Sequence, residues 1–249
     1  MIRDEPTSSF GAVAPYYDEL MKPVPYRMWT GYYLLLLSTQ NLRPREVLDV
    51  ACGTGTMCEM LTEEGLILSG FDLSPGMIDE ARRKARHAGL DIEYRVADAT
   101  DFEFGRTYDA AYSFFDSLNN VLEPDGLARA FRRVREHLEP GGSWIFDLNT
   151  AYAFEAKLFD QKSNRKNARL QYEWHSVWDP ESMICEVEMD FRFRGEPFRE
   201  IHRQRAHRHE DVLDWLEAAG FGEIRAYHAY TLNPPRYKSD RIHYAAVAV

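Results

Sequence analysis

Residues 46–56, E-V-L-D-V-A-C-G-T-G-T, restrict this chain more than any other stretch. Val47, Leu48 and Val50 make a short apolar run of the kind that forms a strand buried on both faces. From Ala51 the side chains become small, and Gly53 and Gly55 follow. A strand running into a tight loop is therefore expected, and the bare glycines let a ligand approach the backbone. Residues 57–64 read as the next helix. Its first N–H groups point back at the loop and favour a carboxylate or phosphate there.

Two nucleotide-binding readings compete for such a loop, and spacing separates them. A dinucleotide fold requires G-x-G-x-x-G, with the third glycine allowing close helix–strand packing. Here that position is Cys58. The spacing D-x-A-x-G-x-G from Asp49 to Gly55 instead resembles the first motif of the class I S-adenosylmethionine-dependent methyltransferases, with Ala51 where the family usually has its first glycine. The resemblance implies that Asp49, Ala51, Cys52, Gly53, Thr54 and Gly55 hold the methionine half of the cofactor.

A second apolar segment, residues 66–71, ends at Asp72, 23 residues after Asp49. An acid at the end of the second parallel strand can accept hydrogen bonds from both ribose hydroxyls. Ser74 is a good helix cap with Pro75 at the first helical position, so Leu73, Ser74 and Met77 are expected beside the nucleoside. A third strand, residues 92–96, leads into Ala97-Asp98-Ala99-Thr100. The resemblance implies that Asp98 bonds the adenine amino group, with Ala99 and Thr100 alongside.

Residues 108–114 predict a fourth strand, at whose carboxyl end ligands sit in open parallel sheets. Phe114, Phe115, Asp116 and Asn119 are accordingly placed at the cofactor and the transfer site, with Asp116 orienting an amine or taking a proton. Residues 125–139 read as an amphipathic helix, Pro140-Gly141-Gly142 as a sharp turn and 143–148 as a fifth strand. Asp147 and Asn149 then share the ligand-facing edge.

Residues 151–210 break the alternation of strands and helices. Leu170, Tyr172 and Trp174 alternate with polar residues, as do Cys185, Val187, Met189, Phe191 and Phe193. A strict period of two predicts antiparallel strands with one buried face, and residues 198–207 predict a weaker third strand at an edge. Tyr172, Trp174, His175, Arg192, His202 and Arg203 are candidates to line a substrate pocket, with His175 joining Asp116 as a candidate catalytic residue. The run Arg199, Arg203, Arg205 and Arg208 reads as a solvated edge. At the other end, residues 10–21 and 26–40 read as helices rich in aromatics. The order of Tyr17, Tyr26 and Trp29 resembles the opening of a bacterial small-molecule methyltransferase subgroup, which implies a lid folded over the cofactor.

The expected fold class is α/β: a Rossmann-like, mostly parallel seven-stranded sheet with helices on both faces. Residues 1–43 would form the helical lid, 44–150 and 209–249 the core, and 151–208 an antiparallel insertion serving as substrate cover or homodimer contact. A formal charge of −10 argues against broad binding to phosphate backbones. Cys52, Cys58 and Cys185 lack a C-x-x-C pair, so no metal site is expected. No signal peptide or membrane span is apparent, which suggests a cytoplasmic protein. The expected activity is methyl transfer from S-adenosylmethionine, leaving S-adenosylhomocysteine, to an N or O nucleophile of a small molecule. Methylation of tRNA or protein, a regulatory module that binds the cofactor without turnover, and a nicotinamide dehydrogenase are the alternatives.

Overall fold

The computed structural model describes residues 10–163 and 169–249. Residues 1–9 of the expected lid and 164–168 of the insertion lie outside the described residues. The chain begins with helices α1 (Tyr17–Leu20) and α2 (Tyr26–Thr39). The sheet segments follow in alternation: β1 (Glu46–Val50), α3 (Thr56–Glu63), β2 (Ile67–Asp72), α4 (Pro75–Ala88), β3 (Glu93–Val96), β4 (Tyr108–Ser113), α5 (Gly126–Glu136) and β5 (Leu138–Asn149). Next come α6 (Ala151–Glu155), β6 (Gln161–Ser163), β7 (Leu170–Asp179), β8 (Ile184–Phe193) and β9 (Glu196–Arg205). The chain ends with α7 (His209–Ala218), β10 (Phe221–His228) and β11 (Arg241–Ala248).

Seven strands form one sheet in the order β10-β11-β5-β4-β1-β2-β3. The pairs from β3 through to β5 are parallel, while β11 runs antiparallel to both β5 and β10. Val47, Leu48 and Val50 are fully buried, as their unbroken apolar run requires. On one face Phe131 and Val134 of α5 and Val212 and Leu216 of α7 pack against Trp144 and Phe146. On the other, Tyr33 and Leu36 of α2, Leu61 of α3 and Ile78 of α4 do the same for Val47 and Ala110. The chain winds outward from β1 to β3 and then returns to place β4 on the other side of β1. The carboxyl ends of β1 and β4 thus flank a topological switch point, where open α/β sheets bind ligands.

The second sheet has the order β6-β7-β8-β9 and is antiparallel throughout. Its inner face presents Cys185, Val187, Met189 and Phe191 to Val13, Ala14 and Met77. Polar β6 is an addition to the three expected strands, being too short to show alternation. β9 is the edge strand, and its buried positions do alternate, but they are Glu200, His202 and Gln204.

Three other expectations need correction. Residues 10–21 are not one helix, because Phe10 has a φ of 65° and a 3₁₀ turn at Ala14–Tyr16 precedes the single turn of α1. The helix expected over 125–139 stops at Glu136, and β5 already begins at Leu138. Residues 140–142 are then a register shift within β5, where a Cβ on Gly142 would come within 2.8 Å of the Glu139 carbonyl. Among the described residues, no helix is long and apolar enough to cross a membrane.

Gly55 caps α3 with a φ of 74°, and a Cβ there would lie 2.3 Å from the Tyr94 hydroxyl and 3.2 Å from Ala81 Cβ. Left-handed strain and overpacking together are expected to make Gly55→Ala less stable by roughly 2–4 kcal/mol, read as the shift in denaturant midpoint at constant slope. A loss under about 1 kcal/mol would mean that Tyr94 swings aside freely.

Candidate active site

A cavity of about 540 Å³ lies at the carboxyl edge of the parallel strands, under the second sheet and the N-terminal segment. The loop after β1 sets its shape. Ala51, Gly53 and Gly55 all have positive φ, and the loop is pinned by hydrogen bonds from Cys52 N to Phe71 O and from Gly55 N to Cys52 O. A Cβ on Gly53 would meet nothing within 4 Å, so the backbone at this point faces open cavity.

Three carboxylates stand around that loop. Asp72 accepts hydrogen bonds from Gly53 N and Ser74 N, both at 2.9 Å, one on each oxygen. Each oxygen retains a lone pair for a hydroxyl donor. Burial raises the Asp72 pKa, and the two N–H donors oppose it. Asp49 accepts from the Tyr112 hydroxyl at 2.6 Å and the Cys58 thiol at 3.2 Å. Burial outweighs those bonds and pushes Asp49 up to about 7. Asp98 lines the cavity between Ala97 and Ala99, its Oδ1 accepting from Thr100 N and Oγ1.

The far end of the cavity is built on strain. Phe115 and Asp116, consecutive non-glycine residues, have φ of 68° and 51°, a conformation that costs of order 1–3 kcal/mol at each. The Asp116 N–H donates to Asp147 Oδ2, Arg241 Nη2 donates to Asp116 Oδ1 at 2.7 Å, and Gln204 Nε2 donates to Asp116 Oδ2 at 2.6 Å. Arg241 Nη1 also contacts Asp147, which is fully buried. Asp240 and Arg241 both line the cavity.

The N-terminal segment is tied across the opening at two points. The Thr54 hydroxyl donates to Asp18 at 2.6 Å, and Lys84 pairs with the same carboxylate at 2.8 Å. Farther along, Ala12 N and Val13 N both donate to Glu200 Oε1 at 2.8 Å. This strap brings Tyr17, Tyr26 and Trp29 to the cavity wall, with the Trp29 ring 4.6 Å from that of Phe115. Burial pushes the Tyr17 and Tyr26 hydroxyls upward, so both stay neutral.

The sequence-predicted residues divide clearly. Tyr17, Tyr26, Trp29, Asp49, Ala51, Cys52, Gly53, Thr54, Asp72, Leu73, Ser74, Met77, Asp98, Ala99, Phe114, Phe115 and Asp116 all line the cavity, as do Tyr172, Trp174 and His202. Gly55, Thr100, Asn119 and His175 do not. Gly55 is a packing glycine against Tyr94, and Thr100 turns inward on Asp98. Asn119 is fully buried and bonds Asn149 N, Asn149 O and Arg205 O, which leaves it no face for a cofactor. The His175 side chain is 67% exposed on β7 and reaches only Asp160, at 3.9 Å, so it is no candidate for catalysis in this cavity. Arg192 is exposed, and Arg203 faces solvent paired with Glu186. Sequence reasoning missed Tyr112, Arg241 and Gln204, which look like ordinary strand residues. It named Cys58 as a departure from the dinucleotide pattern and in the cysteine inventory, but not as a partner of Asp49.

Residues 47–142 match the family described as a methyltransferase domain. A Geobacillus protein named only provisionally as a methyltransferase is 29% identical over 96% of this chain and 99% of its own. An S-adenosylmethionine-dependent methyltransferase from Clostridium acetobutylicum has a solved structure that superposes with a TM-score of 0.84, at 26% identity over 97% of this chain and 99% of that one. This chain carries a methyltransferase domain on the fold of the class I S-adenosylmethionine-dependent methyltransferases. A dTDP-3-amino-3,4,6-trideoxy-alpha-D-glucopyranose N,N-dimethyltransferase of Streptomyces venezuelae is 32% identical over 61% of this methyltransferase and 63% of its own length. The cavity fits the adenosylmethionine of the family on its own terms. Gly53 leaves a cradle that a side chain would fill, Asp72 keeps lone pairs for a diol, and the nearby carboxylates suit a cation.

Proposed function

We propose that this methyltransferase acts on an amine nitrogen of a small molecule. The observation that carries the reading is the charge of the cavity wall. Asp49, Asp72, Asp98, Asp116 and Asp240 line it, while Arg241, the only arginine or lysine among the cavity-lining residues, is bound to Asp116 and Asp147. Such a wall favours an ammonium group and disfavours an acceptor carrying phosphate or carboxylate. The Streptomyces relative and a second one from Saccharopolyspora spinosa are both named as N,N-dimethyltransferases of dTDP-linked amino sugars, which agrees with a nitrogen acceptor but not with the phosphate-free one that this wall favours.

In this reading Asp72 would hold the ribose, Asp98 with Ala97 and Ala99 the adenine, and the Gly53 backbone with Asp49 the methionine portion. Bound S-adenosylmethionine supplies a methyl group on a positively charged sulfur. The protein's share of the work is then alignment, an effect worth as much as roughly 7–11 kcal/mol when the reactants are held in line. Trp29, Phe115 and the strap exclude water from that alignment.

Calorimetric titration with S-adenosylmethionine and S-adenosylhomocysteine should show binding of both, with NAD as a non-binding control. A methyl-transfer panel of free amino sugars, spermidine, a catechol and a hydroquinone should then give product only with the amines. Transfer to the hydroxyl compounds alone would overturn the nitrogen assignment while leaving the family intact.

A further inference from the structure

The inner face of β9 carries Glu200, His202 and Gln204 in a row, with exposures of 4%, 3% and 7%. Three polar side chains on the buried face of one strand are costly, and each has a partner that explains it. Gln204 holds Asp116. Glu200 divides its carboxylate: Oε1 takes the strap N–H groups of Ala12 and Val13, and Oε2 lies 2.5 Å from His202 Nε2. His202 lines the cavity, and its Nδ1 has no hydrogen-bond partner among the described residues.

We propose that His202 is the general base of the transfer, with Glu200 as its positioning residue; this rests on the amine reading above. A carboxylate oxygen only accepts, so His202 Nε2 carries the hydrogen and Nδ1 presents its lone pair to the cavity. An acceptor amine enters as an ammonium and has no lone pair for attack. His202 Nδ1 takes one N–H proton and becomes imidazolium, with its charge balanced by Glu200. The freed nitrogen pair forms the N–CH₃ bond as the S–CH₃ bond breaks, and that bonding pair stays on sulfur. The other groups in the cavity are less suited. Asp116 is paired with the Arg241 guanidinium and held by Gln204, the Tyr17 hydroxyl is held neutral, and Asp49 is engaged by Tyr112 and Cys58 beneath the glycine loop.

The immediate surroundings of the ring are few. Phe10 of the strap packs on it at 4.1 Å between centroids, Val187 is its partner on β8, and Glu200 is the charged group hydrogen-bonded to it. Glu200 thus holds the strap with one oxygen and the ring with the other.

Glu200→Gln separates this from a structural role. The Ala12 and Val13 donors keep an amide oxygen at the Oε1 position, so the new NH₂ faces His202 Nε2 and forces the hydrogen onto Nδ1. The variant should fold with a melting temperature close to wild type and still bind S-adenosylhomocysteine. On the amine that the panel identifies, its kcat should fall about 10²-fold or more with KM little changed, and His202→Gln should lose the acid limb of the kcat–pH profile. Nitrogen-15 spectra of the ligand-free protein should show the Nε2–H tautomer in wild type and the Nδ1–H tautomer in Glu200→Gln. A wild-type Nδ1–H tautomer, or an unchanged kcat–pH profile in Glu200→Gln, overturns the proposal. Wild-type protein inert on every amine, with the expected tautomers, overturns the amine reading and removes the base role with it.

Discussion

Arg241→Ala is expected to destabilise the protein by about 3–5 kcal/mol, because it strips the only cation from two buried carboxylates. Asp147 is fully buried, with no partner on Oδ1 among the described residues, and the Asp116 side chain is only 11% exposed. The guanidinium reaches both, so its loss leaves two like charges joined through the Asp116 N–H. The left-handed pair at Phe115 and Asp116 would also lose an anchor, and the strain stored there favours rearrangement. Thermal melting should show a drop of roughly 6–20 °C for a domain of this size. Adding Asp147→Asn should recover a good part of the loss, since it removes one of the stranded charges. If the single variant melts within about 3 °C of wild type, the pair of carboxylates is not held by Arg241.

Gly53→Val is expected to weaken S-adenosylmethionine binding by a hundredfold or more, an effect of about 2.7 kcal/mol or greater. Gly53 has a φ of 54°, so valine meets strain from the backbone, while its Cβ would have nothing of the protein within 4 Å. The strain costs about 1–2 kcal/mol of stability, while the side chain projects into the space where the cradle should receive a ligand. Calorimetry on the folded variant checks both parts. Binding within threefold of wild type would mean that the loop does not hold the cofactor.

The glycine-loop half of the cavity was legible because it is made by local rules. A buried strand, a glycine loop and an acid at the next strand end lie within 27 residues, from Glu46 to Asp72, and each is fixed by its neighbours. The acceptor half is assembled from distant segments. Arg241 meets Asp116 across 125 positions, and Glu200 meets Val13 across 187. No spacing in the sequence reports such contacts. β9 shows the reason most directly. Its alternation of buried and exposed positions is regular, but hydrophobicity cannot reveal it where the buried residues are a glutamate, a histidine and a glutamine. His175, on a strand with good apolar alternation, attracted attention for the opposite reason and proves to face solvent.

Asn119 is a joint between the two sheets. Its one amide joins the turn after β4 to the end of β5 and to the last residue of β9, so the base of the second sheet is riveted to the parallel core. Beyond that rivet the sheet is free to vary. The β8–β9 hairpin tip lies at the opposite end of the sheet, and substitutions there leave every bond of the rivet intact, whereas the β7–β8 turn sits beside the rivet, with Arg205 Nη1 donating to Ser182 O. The distal β8–β9 hairpin can therefore be altered without disturbing the joint between the two sheets or the glycine loop on its far side.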